Sequence, residues 1–139
     1  QGAGLERVML AVLAEGQSKF RVKCAVGEGT QAWVRDFQLP VGEGREQTVF
    51  SYVLRHKEAL WMGVPASYNL NDLVSAAMRQ SLGQGMFFVA PLLAGKREIG
   101  VLYADGRLSG RALKHEQFVA FKRFAELTGR CLDALSQRK

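Results

Sequence analysis

At 139 residues, 47% hydrophobic and 23% charged, the chain has the balance of one globular domain, here taken over residues 1–139, and not of a disordered or fibrous protein. No apolar run approaches the roughly 20 residues that cross a bilayer, and no basic-then-apolar signal opens the chain, so neither a membrane span nor export is expected. The net charge of +6 is scattered from Arg21 and Lys23 through Lys96, Arg97, Arg107, Arg111 and Lys114 to Lys122 and Arg123. A nucleic-acid stripe would cluster on one element with interleaved aromatics, so the charge reads as a solubility feature and no nucleic-acid partner is expected.

Gln1 stands where Met would, and the chain is expected to be a piece of a longer protein with Gln1-Gly2 a cloning scar. Cys24 and Cys131 are too few and too far apart for a disulfide framework. They point to a reducing, cytoplasmic setting and to packed thiols on apolar faces.

In chain order, Val8 to Leu13 is apolar on both alternate sets, which predicts a central strand covered on both faces. Residues 14–18 turn the chain at Gly16. Lys19 to Val26 alternates, with Phe20, Val22, Cys24 and Val26 inward, and pairs back on the first strand. Residues 31–40, carrying Trp33, Phe37 and Leu39, read as a weakly strand-like approach to Pro40. A loop over 41–45 precedes a helix over Gln47–His56, with its stripe at Val49, Phe50, Val53 and Leu54. Ala59 to Met62 forms a short strand, and a helix capped by Asn69 or Asn71 runs to about Gln80.

Met86 to Leu93 is apolar on both faces, hence central, and Pro91 marks either a bulge or the point where pairing changes. After the turn Gly95-Lys96-Arg97, Glu98 to Asp105 sets Ile99, Val101 and Tyr103 on one face and Gly100, Leu102 and Ala104 on the other. A loop over 106–114 leads to a helix over His115–Gln137. Its stripe takes in Phe118, Phe121, Phe124 or Ala125, Leu127, Cys131, Leu132 and Leu135. The fold class is α+β: an antiparallel sheet of five to six strands flanked by helices on both faces, since strands apolar on both sides need cover on both.

LERVMLAVL at the start and FFVAPLLAGKREIGVLYAD near the end resemble the GAF domain, a PAS-like signalling module, over nearly the whole chain. The longer run FFVAPL…GVLYADGRLSGRALKHEQFVAFKRF is similar to the GAF-type domains that accompany HDOD domains in bacterial signalling proteins. The resemblance implies a ligand pocket in some members, between the sheet and the segment here spanning Phe37–Leu82, and dimerisation through terminal helices in many. It does not bring the family's better-known chemistry. The Asn-Lys…Phe…Asp-Glu motif of the cyclic-nucleotide subgroup is missing, and residues 37–85 hold no cysteine for bilin attachment or methionine sulfoxide reduction.

Other motifs point the same way. Gly27-Glu28-Gly29 and Gly42-Glu43-Gly44 are turns, without the spacing of a phosphate cradle. Cys24, Cys131, His56 and His115 lack the close ligand pairs of a structural zinc site. No nucleophile elbow is present, so no catalytic residue, metal or cofactor is expected.

For a ligand, Trp61, Tyr68, Asn69, Asp72, Arg79 and Phe88 are the candidate binding residues, combining aromatic walls with a few polar groups. The plainer reading makes Trp61 and Phe88 core, Asn69 a cap, and Asp72 and Arg79 a solvated helix face. It carries more weight, because large aromatics are mostly buried for packing. The last helix offers a second surface: a stripe including Phe118, Phe121, Leu132 and Leu135, wider than the sheet covers, would drive self-association into a homodimer. The expected function is a non-catalytic regulatory or sensor domain that binds a small ligand or a partner and relays to an attached domain, HDOD by the resemblance. The alternatives are a degenerate GAF serving only dimerisation or protein interaction, and, further off, a redox GAF enzyme.

Overall fold

The computed structural model describes residues 6–14, 19–41, 48–83, 85–106 and 113–137. The turn at 14–18, the loop glycines 42 and 44, most of the loop over 106–114 with Arg107 and Arg111, and the residues 1–2 therefore lie largely or wholly outside the described residues. Six strands form one sheet: β1 (Arg7–Ala14), β2 (Lys19–Val26), β3 (Gln38–Pro40), β4 (Leu60–Met62), β5 (Phe87–Ala94) and β6 (Arg97–Asp105). Their spatial order is β3-β2-β1-β6-β5-β4, with every described pairing antiparallel.

Period-two alternation in the central strands splits the core into two layers. Met9 and Ala11 of β1, Phe87 and Val89 of β5, and Val101 and Tyr103 of β6 face one side. There they meet α1 (Gln31–Asp36), α2 (Val49–His56), a 3-10 helix (Pro65–Leu73) and α3 (Ala76–Leu82), which supply Trp33, Phe50, Val53, Leu70 and Met78. Phe88, Ala90 and Leu92 of β5 and Leu102 and Ala104 of β6 face the other side, under Phe121 and Ala125 of α4 (His115–Gln137). Helices thus cover both faces, as the doubly apolar strands require.

Two bulges correct the expected alternation. Leu10 pairs with Cys24 but Ala11 pairs with Val22, so Lys23 is an extra residue in β2. Phe20 and Val22 remain inward, whereas Cys24 and Val26 turn out to solvent, Val26 at 59% exposure, and Ala25 takes the inward place. Likewise Leu92 pairs with Gly100 and Leu93 with Glu98. The extra Ile99 lands on the α4 side instead of beside Val101 and Tyr103. Pro91 lies just beyond Val89, where β4 ends, so it marks a change of pairing.

Of the weakly strand-like stretch 31–40, only Gln38–Pro40 is a strand; Gln31–Asp36 is helical, and Trp33 and Phe37, four apart, are both buried. Neither Asn69 nor Asn71 caps the later helix. The 3-10 helix consumes Pro65–Leu73, and Ser75 caps α3, its Oγ accepting from the Met78 N–H at 3.2 Å. Lys57 ends α2 in the left-handed conformation (φ 56°). Among the described residues, no helix is long and apolar enough to cross a membrane.

Candidate functional site

Beneath the described part of Phe37–Leu82, where a pocket was expected, the chain's own rings pack against one another. Tyr103 is the hub, with ring centroids 5.3 Å from Phe87, 5.8 Å from Trp33 and 6.5 Å from Phe50. Phe50 in turn meets Phe20 edge-on at 5.6 Å and Phe37 at 6.2 Å. All six are buried. Such contacts hold aromatic cores by about 0.5–1.5 kcal/mol each beyond the buried area. A small cleft of about 180 Å³ does open beside this core, between Leu13, Val41, Ser51, Leu54, Arg55 and Glu98.

One end of this core is closed by a polar knot that the sequence reading missed. Arg7 Nε donates to Asp105 Oδ1 at 2.9 Å and its Nη2 to Oδ2 at 2.7 Å, a two-pronged pair across the β1–β6 ladder. The same Nη2 donates to the Leu82 carbonyl at 2.7 Å, and the Tyr103 hydroxyl donates to Asp105. The guanidinium lies 4.8 Å over the Trp33 ring, whose Nε1–H donates to the Ser81 carbonyl at 2.9 Å. Together Arg7 and Trp33 serve the last carbonyls of α3, which have no partner within their own helix. Burial works to lower the Arg7 pKa, but the Asp105 carboxylate, and Tyr103 behind it, raise it above its ordinary value. The signal was present in the sequence as a charge at each end of an apolar strand pair, Arg7 before VMLAVL and Asp105 after GVLYA.

The five candidate residues whose side chains are described do not lie together. Trp61 and Phe88 meet edge-to-face at 5.4 Å, on the α4 side of the sheet, with Phe118 5.8 Å and 5.1 Å away respectively. Phe88 is fully buried. The Trp61 Nε1–H is buried with no acceptor among the described residues. Asn69, Asp72 and Arg79 are exposed on the 3-10 helix and α3, which cover the opposite side of the sheet. Tyr68 falls within that 3-10 helix, and its side chain is outside the described residues.

On the α4 side the structure has a larger opening, a cleft of about 590 Å³. Its floor is Ala59, Ala90, Pro91 and Leu93, where β5 runs on past the end of β4. Lys57 and Glu58 form one wall. The other is the row Lys122, Glu126 and Arg130, spaced four apart along α4.

α4 itself carries two apolar lines. Phe118, Phe121 and Ala125 pack on the sheet. Ala120, Phe124, Leu127, Cys131 and Ala134 are all exposed, at steps of four, three, four and three residues, and Leu135 beside them is 56% exposed. The expected inward stripe is thus corrected at Phe124, Leu127, Cys131 and Leu135, because a single helix resting on a sheet buries only a narrow face. Both cysteines are exposed, contrary to the packed thiols expected.

The architecture has close counterparts among solved structures. Residues 122 to 287 of a methyl-accepting chemotaxis protein superpose with a TM-score of 0.75 at 20% identity, over 98% of this chain and 82% of that one. The GAF-B domain of DevS from Mycobacterium smegmatis gives 0.70 at 21%, over 97% and 85%. A GAF domain/HD domain protein from Geobacter sulfurreducens gives 0.71 at 12%, over 97% and 84%. This is the GAF fold. No protein-family model matches the chain, and no curated protein matches it.

Among the described residues, no three His, Cys, Asp or Glu side chains group to hold a metal ion. His56 stacks on Tyr52, with centroids 4.1 Å apart, at the end of α2, and His115 is exposed at the start of α4. Cys24 and Cys131 sit on different elements, β2 and α4.

Proposed function

We propose that this chain is a single regulatory GAF domain of a bacterial signalling protein, cytoplasmic and without catalytic activity, that pairs through α4 and relays to an attached domain. The sequence resemblance favours an HDOD domain for that attachment. The observation that carries the reading is the exposed line Ala120, Phe124, Leu127, Cys131 and Ala134 on the terminal helix. Alternating steps of four and three residues are the spacing of a helix–helix seam, and water is a poor partner for Phe124 at 54% and Leu127 at 46% exposure. A second copy of α4 is self-complementary to it. The likeness to structures from a methyl-accepting chemotaxis protein, the GAF-B domain of DevS and the cyanobacteriochrome receptor PixJ supports a signalling role. The packed rings under the described part of Phe37–Leu82 support a relay through helix packing.

Sedimentation velocity tests this. A dimer is expected for the wild type, and a folded monomer for Leu127→Glu, with circular dichroism unchanged because the site is exposed. A wild-type monomer at the highest soluble concentration would overturn the pairing.

A further inference from the structure

We infer that the cleft between β5, the Lys57–Ala59 segment and α4 binds a small organic acid carrying one anionic group and a hydrogen-bond donor of its own, an amino acid or a hydroxy acid. Three features select that class. The volume of about 590 Å³ lies within the roughly 300–1,000 Å³ of small-molecule sites. Ala59, Ala90 and Pro91 give the floor an apolar patch, a place for an uncharged carbon body to lie.

The walls carry both signs. Lys57 is already paired with Glu98 at 3.8 Å, and Lys122 rests 4.9 Å over the Phe118 ring. Arg130 has no ion-pair or hydrogen-bond partner among the described residues and is exposed at the rim, so its planar donor set suits a carboxylate. Glu58 and Glu126 repel a polyanion but accept from an ammonium or hydroxyl group. A nucleotide triphosphate is disfavoured for the same reason, and a plain inorganic anion would leave the apolar floor uncovered.

The inference rests on the proposed function only for its consequence. A ligand bridging β5 and α4 would hold, on one flank, the helix whose other flank carries the pairing seam.

The test is a two-dimensional amide NMR titration of the chain with the twenty amino acids, lactate, malate, inorganic phosphate and ATP, each against a sodium chloride control. Expected are shift changes confined to Lys57–Ala59, Ala90–Ala94 and Lys122–Arg130 for at least one amino or hydroxy acid. They should weaken about tenfold or more in Arg130→Glu, the loss typical of a charge-assisted hydrogen bond, and change little in Lys122→Gln, whose cation rests on Phe118. Both positions are exposed, so the variants keep the fold, and unchanged spectra elsewhere verify it. Responses no larger than the chloride control, a preference for phosphate or ATP, or binding unaltered by Arg130→Glu would each overturn the inference. Because the readout is binding and not oligomeric state, a failed site and a failed α4 dimer give different results.

Discussion

Gly129 lets α4 rest directly on the backbone of β5: a Cβ at this position would stand 2.3 Å from the Leu93 carbonyl oxygen. That contact fixes the height of the helix above the sheet and is why Phe121 and Ala125 reach Phe88 and Leu102. Gly129→Ala would gain up to about 1 kcal/mol of helix propensity. It must also lift the helix off a backbone atom that cannot rotate away, an overpacking cost of about 1–3 kcal/mol or more. Net destabilisation is expected, read as a lower urea midpoint with unchanged m-value. A raised midpoint would show that α4 does not sit this close.

The Arg7–Asp105 pair is expected to be the costliest polar contact to break. Asp105 is fully buried and Arg7's side chain is 13% exposed, so Asp105→Ala leaves a mostly buried cation beside the Tyr103 hydroxyl without its acceptor. Breaking a buried pair this way costs about 3–5 kcal/mol, here at the lower end because the Leu82 carbonyl still accepts from Arg7. Urea unfolding of the two single variants and of Arg7→Met/Asp105→Ala should show the double variant losing less than the sum of the singles. Strict additivity would mean that the two side chains act independently.

What the sequence made legible follows from which signals were periodic. Met9, Ala11, Val101 and Tyr103 against Leu102 and Ala104 announced a sheet covered on both faces, and α4 was readable end to end from its length and stripe. Pro91 flagged an irregularity beside the shift at Leu92/Leu93, but which residues the bulges leave unpaired was not legible. One unpaired residue, Lys23 or Ile99, reverses the face of what lies beyond it, and nothing in local composition marks it. The candidate ligand residues failed to converge for a related reason. Trp61 and Met62 are neighbours on a three-residue strand and so point to opposite layers, which took Trp61 to α4 while the polar candidates went with α3. The cleft row Lys122, Glu126 and Arg130 looks, in sequence, like any solvated helix face.

Lys57 occupies a left-handed position that glycine usually fills at a helix end, with the Lys57 and Glu58 N–H groups both donating to the Val53 carbonyl. A residue with a Cβ pays roughly 1–2 kcal/mol there. Lys57→Gly loses the half-exposed ion pair to Glu98 at 3.8 Å, worth a few tenths of a kcal/mol at most. It also adds entropy to the unfolded chain. The balance is a gain of about 0.5 kcal/mol, seen as a slightly higher Tm. A loss exceeding the ion pair would indicate that Lys57 makes a contact beyond Glu98.

Cys131 tests the direction of pairing at α4. In a parallel two-fold seam each seam residue faces its own counterpart, so the two Cys131 sulfurs approach across the axis, whereas an antiparallel arrangement sets Cys131 against a different residue. A disulfide needs Cα atoms about 4.4–6.8 Å apart, a range that facing seam positions satisfy. Mild oxidation with copper–phenanthroline is therefore expected to give a cross-linked dimer on a non-reducing gel, reversed by dithiothreitol. The band should vanish in Cys131→Ser and persist in Cys24→Ser, since Cys24 lies exposed on β2, away from the helix. Cross-linking that required Cys24 would move the interface to the β2 edge. A dimer by sedimentation that resisted cross-linking through Cys131 would argue against the parallel seam and for an antiparallel arrangement of the helices.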